Sequence, residues 1–89
     1  MKLDSVLRIP PQVMSREVGD ETVLLDLESG MYFGLDGVGK LIWESVSEGQ
    51  SLARVAEAIV ADYDVDAEQA QSDVLEFAAE LVERGLLAQ

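Results

Sequence analysis

Acidic side chains dominate the chemistry open to this 89-residue chain, which carries 18 Asp and Glu against six Lys and Arg and has no histidine and no cysteine. The commonest general base and the commonest transition-metal ligand are therefore missing, and disulfide and thiolate chemistry is excluded. Carboxylates, Ser, Tyr and Lys remain. No pair of them has a spacing that compels acid–base work, so an enzyme is not expected. Asp62, Asp64 and Asp66 invite a calcium reading. No glycine or distal glutamate stands at EF-hand spacing, however, and Asp66 is accounted for as a helix cap. Neither a metal nor a cofactor is expected.

The charge balance narrows the partners. A net charge of −12 repels a phosphate backbone, whereas a nucleic-acid binder needs clustered Lys and Arg to displace counterions. No apolar run approaches the roughly 20 residues that span a bilayer. Met1-Lys2-Leu3 is followed by Asp4, Arg8 and two prolines rather than by a signal-peptide core. The expectation is a cytoplasmic protein with no nucleic-acid or membrane partner.

The side chains left over suit binding better than catalysis, and the elements that position them are legible. Residues 1–11 read as a loosely held lead-in closed by Pro10-Pro11, and residues 12–89 as a single domain. Gln12 to Val18 forms a first strand, turned by Gly19-Asp20. Glu21 to Leu27 forms a second, in which Val23, Leu25 and Leu27 make one face fully apolar and Thr22, Leu24 and Asp26 leave the other mixed. Glu28-Ser29-Gly30 signals a hairpin. A short third strand follows from Met31 to Leu35, with Met31, Phe33 and Leu35 on one face and Tyr32 and Gly34 on the other.

Three helices complete the chain. Asp36 is placed to cap the first, along which Val38, Leu41, Ile42 and Val46 recur at helical spacing, and Gly37 and Gly39 weaken its start. Trp43 reads as a core anchor. Ser51 caps the second, whose stripe is Leu52, Val55, Ala56, Ile59 and Val60. Asp66 caps the third, with Gln69 at the capping-box position. Its apolar side is Ala70, Val74, Phe77, Ala78, Leu81 and Val82, and Gly85-Leu86 signals a Schellman stop with Arg84 at the negative end of the dipole. The order βββααα predicts an α+β domain in which the helices cover one face of a three-stranded antiparallel sheet. The first two helices form a helix-turn-helix pair across Glu48-Gly49-Gln50.

The run Val23-Leu24-Leu25-Asp26-Leu27-Glu28-Ser29-Gly30-Met31-Tyr32-Phe33-Gly34-Leu35-Asp36 resembles the hairpin of PqqD-like proteins. There an aliphatic strand reaches a turn ending in Gly, then an aromatic strand, then Leu-Asn or Leu-Asp opening a helix. Val38-Gly39 to Trp43-Glu44 is similar to the family's first helix. Tyr63-Asp64-Val65-Asp66 is similar to the approach to its last helix. Asp73-Val74, Phe77 and Leu81 match the Asp-Val-x-x-Phe-x-x-x-Leu pattern within that helix, and Gly85-Leu86-Leu87 its ending. The order and spacing of these pieces over residues 12–88 carry the resemblance.

The resemblance implies a winged helix-turn-helix-like fold and a role in recognising leader peptides of ribosomally made precursor peptides. It implies partner enzymes such as a radical SAM enzyme, a leader protease or a cyclase, and a leader that adds as an extra strand to the third strand, beside the third helix. The third strand suits that role, because it lacks the Pro and Lys that block an edge and its Gly34 permits close backbone approach. About four backbone hydrogen bonds at about 1 kcal/mol each fall short of the roughly 8 kcal/mol of micromolar binding. Apolar anchors must supply the remainder. The expected site is Met31, Tyr32, Phe33, Gly34 and Leu35, with Val74, Phe77 and Leu81 as the helical wall, Leu24 or Tyr32 on the sheet side, and Asp73, Glu76 and Glu80 as an acidic flank that selects a basic leader. Each also has a plainer role: Phe77 and Leu81 as core, the three acids as a solvated face.

Other readings predict other outcomes. A scaffold would bind a biosynthetic enzyme and no leader. A winged-helix DNA binder would use Leu52 to Tyr63 as its recognition helix, yet that segment offers Arg54 alone as a cation against Glu57 and Asp62. A homodimer through the free edge is also open.

Overall fold

The computed structural model describes residues 1–89 and contains strands β1 (Val13–Val18), β2 (Glu21–Asp26) and β3 (Tyr32–Leu35), then helices α1 (Gly37–Ser47), α2 (Leu52–Asp62) and α3 (Ala67–Glu83). The sheet is antiparallel throughout in the order β1-β2-β3, so β3 is an edge strand. This is the α+β architecture expected, with each strand shorter by about a residue than its apolar run.

The sheet turns its mixed face inward. Leu24 is fully buried, opposite Phe33, and Thr22 is buried opposite Leu35, while Val23 and Leu25 are half-buried on the far side and Leu27 is exposed. Strand periodicity offers two faces. The inward one is chosen by what stands across it, because Val13, Leu24 and Leu35 are the positions that meet the helices' apolar stripes. A core of 17 apolar residues results, with Trp43, Ile42, Leu52, Val55, Ile59, Val74 and Leu86 among its most enclosed members.

Local signals explain most helix ends. Ser51 Oγ accepts the Arg54 N–H (3.3 Å), and Asp66 Oδ1 accepts the Gln69 N–H (2.8 Å). At the end of α3 the Gly85 N–H donates to the Val82 carbonyl and the Leu86 N–H to the Leu81 carbonyl, with Gly85 at φ +77°. This is the Schellman arrangement, and it drives Leu86 and Leu87 into the core. Two expectations fail. Asp36 holds the N-cap position of α1 but makes no side-chain cap. Gln69 does not close a capping box either: its Nε2 donates forward to Asp73 Oδ1 (2.8 Å), since a side chain one turn ahead lies within its reach.

The lead-in is not loose. Leu7 is buried in the core, and Arg8 pairs with Ala88 through two backbone hydrogen bonds (2.8 and 2.9 Å). The carbonyls of Ser5 and Leu3 accept the N–H groups of Leu52 and Ala53. Those are among the donors that the first turn of α2 cannot satisfy internally. No helix is long and apolar enough to cross a membrane.

Candidate functional site

The free edge of β3 can be read group by group. The Asp26 N–H donates to the Met31 carbonyl (2.9 Å), and the β2–β3 register pairs Leu24 with Phe33 and Thr22 with Leu35. Bonded and non-bonded pairs alternate in an antiparallel ladder. Phe33 and Leu35 therefore bond inward to β2, while the N–H and C=O groups of Tyr32 and Gly34 point outward. No turn, loop or side-chain hydrogen bond engages the main chain of residues 32–35. Two residues thus offer four unused main-chain groups on one line.

Beside this edge runs α3, which is not packed closely against β3. The two elements meet through Arg84 and Phe33, and the space between them is the groove that an added strand would enter. At one end Phe77, half-buried, lies against the first turns of α1: a Cβ on Gly39 would stand 3.2 Å from Phe77 Cζ and 3.8 Å from Leu35 Cδ2. Gly39 is thus where a missing side chain admits an aromatic ring. Around Phe77 a recess of about 210 Å³ is lined by Asp73, Glu76 and Glu80. At the other end the Arg84 guanidinium lies 5.4 Å from the centre of the Phe33 ring and bonds Glu80 Oε1 at 3.1 Å.

The expected site residues separate into three groups. Phe33, Gly34, Phe77, Asp73 and Glu80 border the groove or its edge, as does Glu76. Leu24 and Val74 have no exposed surface, and Leu35 and Leu81 are buried at 9% and 4%. These four support the groove from beneath, and Leu24 cannot serve as a sheet-side wall because Phe33 and the core enclose it. Tyr32 is 74% exposed and stands opposite Leu25 on the face turned away from the helices, so it is not a groove wall either. The strand alternation that puts Phe33 in the groove puts Tyr32 out of it. Met31 is exposed just before β3.

Two residues that matter here were read only for helix geometry in the sequence. Gly39 carried a usable signal: a glycine inside a helix costs about 1 kcal/mol relative to alanine, which is reason to look for a close approach. Arg84 carried none, since its contact with Phe33 joins the C-terminus of α3 to a strand some fifty positions earlier. Asp62, Asp64 and Asp66 do not converge, and no group of three or more acidic side chains is placed to hold a metal ion.

The comparisons with known proteins bear on this geometry. The family described as "Coenzyme PQQ synthesis protein D (PqqD)" matches over residues 21–87. Among solved structures, TbiB1 in complex with the TbiA(beta) leader peptide is similar at 40% identity and a TM-score of 0.86, over 90% of this chain and 93% of that one. Lasso peptide synthetase B1 complexed with the leader peptide is similar at 28% identity and a TM-score of 0.89, over 96% of this chain and 100% of that one. No curated protein matches the chain significantly.

Proposed function

This chain belongs to the PqqD family, and from that premise we propose that it is a peptide-binding module that captures the leader segment of a ribosomally made precursor and presents it to modifying enzymes. The observation that carries the reading is the open edge of β3, with the outward groups of Tyr32 and Gly34 unpaired next to a groove that Phe77 and Phe33 line. Strand addition there gains up to four main-chain hydrogen bonds, and side chains alternate along the added strand, so every second residue of the leader faces the groove. Phe77 and Phe33 supply the apolar contact that hydrogen bonds alone do not, and Asp73, Glu76 and Glu80 favour a basic residue nearby.

The chain acts by binding and does no chemistry itself. With no His or Cys, a reactive centre would have to be built from carboxylates, Ser, Tyr or Lys, and the carboxylates at the groove lie exposed in water. The relative named as a lasso peptide synthetase B1 favours a lasso-type pathway for this chain. Its location in the cytoplasm and its partner enzyme, a leader protease, a cyclase or a radical SAM enzyme, are part of the same proposal. A second copy at the β3 edge would occupy the same groups. Two chains of −12 each repel one another, so a leader suits the edge better than a homodimer does.

Calorimetric titration with the TbiA(beta) leader peptide tests the proposal. Binding in the micromolar range or tighter is expected, with a one-to-one stoichiometry. Absence of binding to the leader, together with binding to a leader protease or cyclase added alone, would replace this reading with the scaffold.

A further inference from the structure

We propose that Arg84 reads an acidic side chain in the bound segment and thereby sets the direction in which that segment lies; this rests on the peptide-binding reading above. The edge itself does not choose a direction, because the outward groups of Tyr32 and Gly34 can pair with a parallel or an antiparallel strand. Side chains must decide, and the groove is electrically asymmetric along its length. Asp73, Glu76 and Glu80 stand around Phe77, at the end where Leu35 and Gly39 meet, and of the three only Glu80 reaches Arg84. Arg84 stands at the Phe33 end, and of the six basic residues it is the one that touches both walls, through Phe33 on β3 and Glu80 on α3.

The contacts of Arg84 are suited to exchange. Its side chain is 48% exposed and that of Glu80 54%, so the ion pair between them is weakly held. The Phe33 ring supports one face of the guanidinium and leaves its edge donors free to fork onto a carboxylate. An acidic residue arriving on the groove side of an added strand can take the place of Glu80 without moving the ring. About two turns of α3, or roughly 10 Å, separate Phe77 from Arg84. An extended peptide covers that in about three residues, and residues sharing a face differ by an even number. The segment that fits therefore carries a basic and an acidic residue about two to four positions apart on one face. In an antiparallel peptide the basic one comes first.

The test uses a display library of short random peptides, bound to the full chain and released with the TbiA(beta) leader peptide so that only groove binders are kept. Wild type is expected to enrich an acidic residue at one groove-facing position, with Lys or Arg at a neighbouring one on the same face. Arg84→Lys retains the acidic preference. Arg84→Glu inverts it, and lowers affinity for an acid-bearing peptide about three- to fivefold, with unchanged far-UV circular dichroism. A cap or packing role for Arg84 would not move a charge preference at a single peptide position. Enriched peptides with no acidic preference, or with the same preference in Arg84→Glu, overturn the role of Arg84 and leave peptide binding standing. No peptide recovered from wild type overturns peptide binding itself.

Discussion

Gly39 and Phe77 share one volume: a methyl group on Gly39 of α1 would stand 3.2 Å from the Phe77 ring carbon Cζ on α3. The glycine therefore helps to shape the groove, because its missing side chain lets the ring lie back against α1. Gly39→Ala gains about 1 kcal/mol of helix propensity and meets an overpacking cost of about 1–3 kcal/mol. Stability should fall by about 0–2 kcal/mol, while the tilted ring narrows the recess and weakens leader binding several-fold. Urea unfolding and calorimetry measure the two effects, and unchanged affinity would show that the ring does not border the peptide.

Phe77→Ala removes the ring itself. A fully buried Phe costs about 3–5 kcal/mol when truncated. Phe77 is only half-buried, so a loss near 2 kcal/mol is expected, small enough for the domain to remain folded. Leader affinity should fall at least tenfold by calorimetry. Normal affinity in the folded mutant removes Phe77 from the site.

Gly34→Pro acts on the edge. The Gly34 N–H points away from β2, so the β2–β3 ladder loses no hydrogen bond, and Phe33 is already in the extended conformation that a following proline demands. Leader binding should be lost with little change in melting temperature. Gly34→Ala is the control. Its methyl group would meet only Glu21 Oε1, at 3.0 Å, the movable end of an exposed side chain, and binding should persist. Full affinity in a folded Gly34→Pro protein would end the strand-addition reading.

Asp73→Lys tests the acidic flank. Asp73 is exposed and held in place by Gln69 Nε2 at 2.8 Å. Reversing its charge should weaken a leader that carries a basic residue, and the difference from wild type should shrink as salt screens the pair. Tighter binding of that leader at low ionic strength contradicts the charge argument.

Leu7→Ala tests the lead-in. Leu7 is 3% exposed and packed in the core, where truncation of a leucine costs about 2–5 kcal/mol. That is a large share of the roughly 5–15 kcal/mol that holds a domain folded. A clear drop in the urea midpoint is expected. No drop would mean that the segment is held by its backbone bonds alone.

The local signals read well wherever cause and effect lie within one turn of chain. Ser51 and Asp66 cap as their side-chain chemistry requires, and Gly85 ends α3 as its freedom at positive φ allows. Where a side chain has a choice of partners, the local pattern does not decide between them. Gln69 turned to Asp73 and not back to Asp66, and Asp36 left its cap unmade.

By itself the sequence determined the order of elements, the absence of thiol and imidazole groups, the acidic net charge, and the acid-rich face of α3, because composition and periodicity act through neighbours in the chain. Only the tertiary structure decided which face of the sheet turns inward, that Leu24 and Val74 lie beneath the groove, that Tyr32 lies outside it, and that the lead-in is fastened to the far end of the chain. A strand's period of two leaves its two faces equivalent until other strands and helices are set against it. Contacts such as Gly39 with Phe77 and Arg84 with Phe33 join positions far apart in the chain, so no local pattern records them.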